Sequence, residues 1–352
     1  MSNLTKLMNE KSLDTFEKLT EYLSFPPYCI EVREDRPVSN LFLLHYTDMS
    51  EIGNKVVEEC NGLVMDKNIL KIVGYGMNRV YTEQEMPHDL DWNSGEFYNC
   101  IDGTMIKVYY YNCKWQISTN KCINGEKSKW DADSSFSELF RECDVNFELL
   151  DKNKCYSYVL THPENRIVIP YSKTSAFLVA ERNMETFELS EYFISSKKFS
   201  DSNKYHSAKT SIFLEGSFLV KFEDKIVRLD SQEFEFVKSL KNNSRDLISR
   251  YIDFLGDENG KNAMKYYFFE YTEEFERVDN DLIHLTRIIM NLYKKIYMFR
   301  EQITIFPKYK QLLGQIHGEF RKTKIKRNEE NIYNKIISLP PHVIKWILYD
   351  AK

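Results

Sequence analysis

Cys100-Ile101-Asp102-Gly103 is the stretch whose residue types could do chemistry: a thiol, then a carboxylate and a glycine, running into the β-rich segment 105–111. A thiolate at Cys100 would be intrinsically reactive, although a free cysteine, with a pKa of about 8.5, is mostly protonated at neutral pH. The alternative is a buried, inert cysteine. Two amines, Lys107 and Lys221, could stand in for it in space, but Lys107 lies seven residues past Cys100, which assigns it to a different part of a sheet. His162, beside Pro163, either touches a ligand or is a solvated turn residue. The histidines cluster nowhere with acidic residues, so no metal site is expected. The one strongly basic run holds Arg321, Lys322, Lys324, Lys326 and Arg327. It is either a solvated linker between helices or a contact to a phosphate backbone, helped by the nearby Tyr309 and Phe320.

These groups need a scaffold. Ser12 to Leu23 has helical apolar spacing, with Ser12 as N-cap and Pro26-Pro27 as the stop. Residues 41–46, 59–65 and 68–76 read as strands, and 83–95 as polar and irregular. The block 96–230 alternates strands and turns, with strands at 105–111, 114–119, 155–160, 166–169, 176–181, 217–222 and 225–229 and a short helix at 133–143. Beyond about 232 the pattern is helical: 234–240, 245–255, 262–271, 278–300, 308–320 and 332–337. Leu282, Leu285, Ile289, Leu292 and Ile296 share one helical face and read as packing. The fold class is α+β, a mixed domain over 1–235 followed by an all-helical domain over 236–352.

Composition narrows the function classes. A net charge of −5 argues against a generic polyanion binder, while leaving room for local basic patches. Seven cysteines without a CxxC pair, all in the first half, fit a reducing compartment better than a disulfide framework. The apolar runs are too short to span a membrane and residues 1–10 lack a signal-peptide core, so a cytoplasmic protein without membrane contact is expected. Tyr and Phe, 23 of each, suit a β-rich core and could supply base-stacking surfaces.

Several blocks in fixed order carry a resemblance. Glu59-Cys60-Asn61-Gly62-Leu63-Val64-Met65 is similar to the strand Glu-x-Arg-Gly-(Ile/Leu)-(Val/Met)-Phe, and Tyr75 to Tyr81 to Arg-Pro-Met-x-Lys-Phe-Phe. Cys100-Ile101-Asp102-Gly103 follows at the expected distance in the place of Lys-x-Asp-Gly. His162 to Val168 matches Pro-x-Asn-Arg-Ile-Val, Phe177 to Asn183 the strand after it, Leu214 to Phe218 the Glu-Gly motif, and Val227 to Ser231 the segment Phe-Lys-Ile-Lys-Ser. The first 235 residues thus resemble the nucleotidyltransferase domain of phage-type, tRNA-repair, ATP-dependent RNA ligases, part of the covalent nucleotidyltransferase superfamily. The resemblance implies a lysine whose amine takes AMP from ATP as a phosphoramidate, and a helical C-terminal domain that engages tRNA.

The departures from that pattern fall on the chemical groups. The nucleophilic lysine is Cys100, the AMP-contacting arginine is Asn61, and the ribose-binding glutamate is Val159. The two lysines that neutralise the triphosphate are Arg228 and Asp230. Asp102, Gly103, Glu215 and Gly216 are kept, Glu215 at the position the family places by the metal and the nucleophile. Losing one electrostatic contact to a transition state costs roughly 2.7–4 kcal/mol, and a carboxylate in place of a phosphate-clamping lysine adds repulsion. The expectation is a catalytically inactive ligase-like protein, requiring no cofactor, that binds RNA, including tRNA-like RNA, or a partner in a nucleic-acid-processing complex. The alternative is an active RNA ligase or nucleotidyltransferase that uses ATP and Mg²⁺ with a non-standard nucleophile.

Overall fold

The β-branched and aromatic runs of the first 230 residues pair into three sheets, and the chain after them is helical, so the molecule is mixed α+β. The structure, a computed structural model, describes residues 1–34, 40–129, 134–223, 225–242, 244, 246–323 and 328–349. It divides into two units, Met1–Lys238 and Ser239–Lys352.

In the first unit, strands β1 (Glu31–Glu34), β2 (Leu41–His45), β3 (Asn61–Asp66) and β4 (Ile72–Gly74) form an antiparallel sheet in that order. Leu41 to His45 are buried throughout, because both faces of β2 are covered. Helices α1 (Asn3–Glu10) and α2 (Phe16–Ser24) pack Leu4, Leu7, Leu19 and Leu23 into the core beside it. The α1 N-terminus is held by Glu59, whose carboxylate accepts from the Asn3 and Leu4 backbone N–H groups at 2.7 and 2.9 Å. Placing a negative charge at the positive end of a helix is favourable. Glu59 itself ends the short helix α3 (Lys55–Glu59), so β3 starts two residues later than the sequence reading placed it. Ser12 is not an N-cap: it sits in the left-handed region, φ 54°, between two helices, and Thr15 caps α2.

After β5 (Tyr81–Thr82) and β6 (Glu96–Asn99), the chain crosses into the second sheet with β7 (Thr104–Tyr111) and β8 (Lys114–Thr119). Helix α4 (Phe136–Arg141) packs Phe136, Leu139 and Phe140 under this sheet. Strands β9 (Lys154–Thr161), β10 (Ser175–Asn183) and β11 (Leu189–Glu191) complete it, in the antiparallel order β11-β10-β9-β7-β8. The third sheet, β5-β13-β12-β6, uses β12 (Ser217–Lys221) and β13 (Ile226–Asp230); β5 joins it in parallel. Helix α5 (Lys204–Lys209) covers it and α6 (Gln232–Lys241) follows it. Residues 166–169 are not a strand; side chains rather than a neighbouring strand satisfy their backbone, as described below.

The second unit holds α7 (Leu247–Asp253), α8 (Glu258–Tyr267), α9 (Thr272–Tyr293), α10 (Pro307–Thr323), α11 (Glu329–Ile337) and α12 (Pro341–Tyr349). Leu282, Leu285 and Ile289 of α9 are buried, so that face is packing. The helix starts at Thr272, earlier than its periodicity indicated, and loosens into a π turn over Lys294–Met298. Among the described residues, no helix is long and apolar enough to cross a membrane.

Candidate functional site

Cys100 stands at the end of β6, where its N–H donates to the Ser217 carbonyl at 2.9 Å and extends the β6–β12 ladder by one rung. The chain then turns through Asp102-Gly103 into β7. The turn needs its glycine, because a Cβ on Gly103 would lie 2.4 Å from the Leu160 carbonyl oxygen. That close approach brings Cys100 and Gly103 to one wall of a cavity of about 310 Å³, with Val159 of β9 beside them. Asn61, Met77 to Val80, Met105, Asn120, Val179, Tyr192 to Ile194, Leu219 and Arg228 also line it.

Arg228 couples the cavity to two carboxylates. Its Nε donates to Asp230 Oδ1 at 2.9 Å, and its Nη2 lies 3.9 Å from Asp102 Oδ1. Burial disfavours its charge, but Cys100, Asp230 and Asp102 more than offset that, so the guanidinium is held firmly protonated. Asp230 is buried, also accepts from the Ser217 hydroxyl at 2.6 Å, and has Lys238 Nζ at 3.7 Å. Asp102 is buried as well; its Oδ2 accepts from the backbone N–H groups of Val168 and Ile169 at 2.7 and 2.9 Å. These bonds replace a strand partner for the apolar run after Arg166, which explains why residues 166–169 look β-like in sequence and are not. Burial pushes the Cys100 thiol up, with the Asp230 and Asp102 charges adding to it and Arg228 and Ser217 opposing. A thiol raised above its ordinary range is protonated and a poor nucleophile at neutral pH.

The structure separates the sequence-selected residues. Cys100, Asn61, Gly103, Val159 and Arg228 line the cavity, and Asp102 and Asp230 stand directly behind Arg228. Glu215 and Gly216 are not among the described lining residues. Glu215 is exposed and its Oε2 pairs with Lys197 Nζ at 2.6 Å, while Gly216 permits close packing against Ser231. Lys107 is buried beneath β3 and donates to the Gly62 carbonyl; burial lowers its amine to about 8. Gly62, at φ 75°, has to be a glycine there, since a Cβ would meet the Asn120 carbonyl at 2.6 Å. Lys221 reaches the Phe193 ring, 5.1 Å from its centroid, and lines a neighbouring groove rather than the cavity. His162 is buried rather than solvated: Nδ1 accepts from Glu164 N at 3.1 Å and Nε2 lies 3.0 Å from Glu142, so it shapes a turn. Arg321 and Lys322 are exposed on the last turn of α10, whereas Lys324, Lys326 and Arg327 lie outside the described residues. Phe320 is buried, edge-on to Tyr293 with centroids 5.6 Å apart, and offers no stacking surface.

The sequence reading did not single out Tyr46, Asn78, Arg79, Asn120 or Tyr192 to Ile194. Arg79 lies in the block matched to Arg-Pro-Met-x-Lys-Phe-Phe, which was a usable signal; residues 192–194 gave none.

His45, stacked on Tyr46 with centroids 4.8 Å apart, is buried with Nδ1 lacking a hydrogen-bond partner. Burial, aided by Lys121, Arg33 and Lys107, lowers it to about 4 from 6.5. A depressed folded-state pKa means that the unfolded chain takes up the proton first as pH falls, so stability present above pH 6.5 is lost progressively toward pH 4. Chemical denaturation across that window should show His45→Phe losing less stability than the parent chain; parallel curves would refute the assignment.

The residues fit a nucleoside better than a metal–triphosphate. None of the described lining residues is a carboxylate, and among the described residues no group of three or more His, Cys, Asp or Glu is placed to hold a metal ion. Mg²⁺ is usually bound through one or two carboxylates.

No family model matches the sequence. Over 45% of this chain, the sequence is 27% identical to a protein of Autographa californica nuclear polyhedrosis virus named "Putative bifunctional polynucleotide kinase/RNA ligase", of which the match covers 26%. Two proteins named "Immediate-early protein ICP-46 homolog" are also similar. That of Invertebrate iridescent virus 3 is 23% identical over 59% of this chain and 50% of its own length. That of Invertebrate iridescent virus 6 is 24% identical over 79% of this chain and 74% of its own. The chain therefore spans a quarter to a half of the length of the first two relatives. Among solved structures, a putative ATP-dependent DNA ligase from Aquifex aeolicus aligns with 75% of this chain and 73% of its own, at 11% identity and a TM-score of 0.38. The sequence similarity to a protein bearing the name RNA ligase supports membership of the ligase-type nucleotidyltransferase superfamily.

Proposed function

We propose that this protein is a non-catalytic, ligase-like RNA-binding protein, acting on tRNA-like RNA or within a nucleic-acid-processing complex, and that it forms no enzyme–AMP intermediate. One observation carries the reading: a raised, protonated Cys100 thiol stands where the resemblance calls for a lysine, and no described lining residue is a lysine. The Asp230–Arg228 pair supports it, because the carboxylate already neutralises a guanidinium that would otherwise face a phosphate. The exposed Arg321 and Lys322 fit contact with an RNA backbone. The competing reading, an active ATP-dependent RNA ligase, is favoured by the name of the Autographa californica virus relative, which this chain matches over about a quarter of its length. Incubation with a nicked RNA stem-loop, ATP and Mg²⁺ or Mn²⁺ should give salt-sensitive binding and no joined product. A sealed strand would overturn the proposal, and so would an absence of RNA binding at low salt.

A further inference from the structure

Arg79 is the least satisfied cation of the cavity. Its side chain is 7% exposed and lies between Tyr46 and Tyr81, with 5.1 Å to each ring centroid. Its Nη2 pairs with Glu85, yet Nε and Nη1 have no hydrogen-bond partner. Buried guanidinium N–H groups are costly to leave unpaired, and two vacant donors of one planar fork match two oxygens of a phosphate. Arg228, by contrast, is engaged by Asp230.

The rest of the wall is chemically distinct. The side-chain amides of Asn61 and Asn120 make no hydrogen bond to any described residue, and each supplies both donors and an acceptor. Between them lie the apolar Val159, Val179 and Leu219. Apolar walls, a few convergent amides and one vacant guanidinium suit a flat heterocycle carrying a single anionic group. At about 310 Å³ the cavity lies at the small end of ligand sites, which run from about 300 to 1,000 Å³, and so has room for one nucleotide. The lining offers no carboxylate through which a divalent cation would be held.

We propose that the cavity binds one nucleoside monophosphate reversibly and without a divalent cation, with Arg79 holding the phosphate and Asn61 and Asn120 holding the base. This rests on the non-catalytic reading above. The phosphate belongs either to a free nucleotide or to the phosphorylated end of an RNA, and the chemistry recognised is the same.

Equilibrium titration of the full chain in EDTA, with AMP, adenosine and ribose 5-phosphate, tests it. AMP should bind at least about tenfold more tightly than either fragment. Arg79→Met should abolish the preference for AMP over adenosine, and Asn61→Leu, which removes no internal hydrogen bond, should weaken AMP and adenosine alike. Displacement of AMP by a 5′-phosphorylated RNA hexamer but not by its 5′-hydroxyl form would assign an RNA end, and failure to displace it a free nucleotide. Binding that requires Mg²⁺, equal affinity for AMP and adenosine, or no AMP binding would overturn the inference. A covalent adduct with ATP would instead overturn the non-catalytic reading, so the two failures are separable. Should Arg79→Met fold poorly, Asn61→Leu and the fragment affinities of the parent chain still decide the matter.

Discussion

Asp102→Ala is expected to lower the unfolding free energy by about 3–5 kcal/mol, the range for removing one partner from a buried charged network. Asp102 is 3% exposed and has no water to fall back on. Its Oδ2 accepts the Val168 and Ile169 N–H groups, and its other oxygen faces Arg228 at 3.9 Å. Truncation leaves two backbone donors unpaired, at about 1–3 kcal/mol each, and Arg228 with one carboxylate in place of two. Asp102→Asn keeps an acceptor but no charge, and should cost less. Urea denaturation measures both; a loss under about 1 kcal/mol for the alanine variant would show that these contacts do not hold the segment after Arg166.

Asp230→Ala is the second large effect, at about 3 kcal/mol, the low end of the range for breaking a buried pair because the Arg228 side chain is 31% exposed. It removes the acceptor for the Ser217 hydroxyl and the closest carboxylate to Arg228. If the cost comes from stranding the guanidinium, replacing both partners should restore most of it, so Arg228→Met with Asp230→Leu should be more stable than Asp230→Ala alone. A double variant whose loss equals the sum of the two single losses would show the pair to be uncoupled.

This cluster explains how much of the site was legible in the sequence. Cys100, Asp102, Arg228 and Asp230 are more than a hundred residues apart across the set, yet the order of the motif blocks was enough to expect them together. The β6–β12 and β12–β13 ladders join them. The glycine at 103 was readable for the same reason, since no other residue tolerates the Leu160 carbonyl at that distance.

What escaped the reading was set by tertiary burial. Lys107 looked like a candidate amine because a lysine in a strand normally faces solvent. Strand β7 is covered on both faces, so Ile106, Lys107, Val108 and Tyr109 are all buried and alternation carries no information. Residues 166–169 have strand-like composition, but their backbone is paired to an aspartate distant in sequence, which no local pattern encodes. Glu215 sits in the expected motif, yet Lys197 draws it outward, a partner that only the folded chain supplies. Asn61 and Asn120 are ordinary polar residues in sequence and become notable only where the cavity wall leaves their amides without partners.

The most direct test of the central claim is intact-mass measurement after incubation with ATP and Mg²⁺ or Mn²⁺, with Cys100→Ala in parallel. The account predicts an unchanged mass for both proteins. An added AMP on the parent that is absent from Cys100→Ala would make the thiol a working nucleophile, and an AMP retained in Cys100→Ala would place the nucleophile on another side chain. Either adduct would contradict the account.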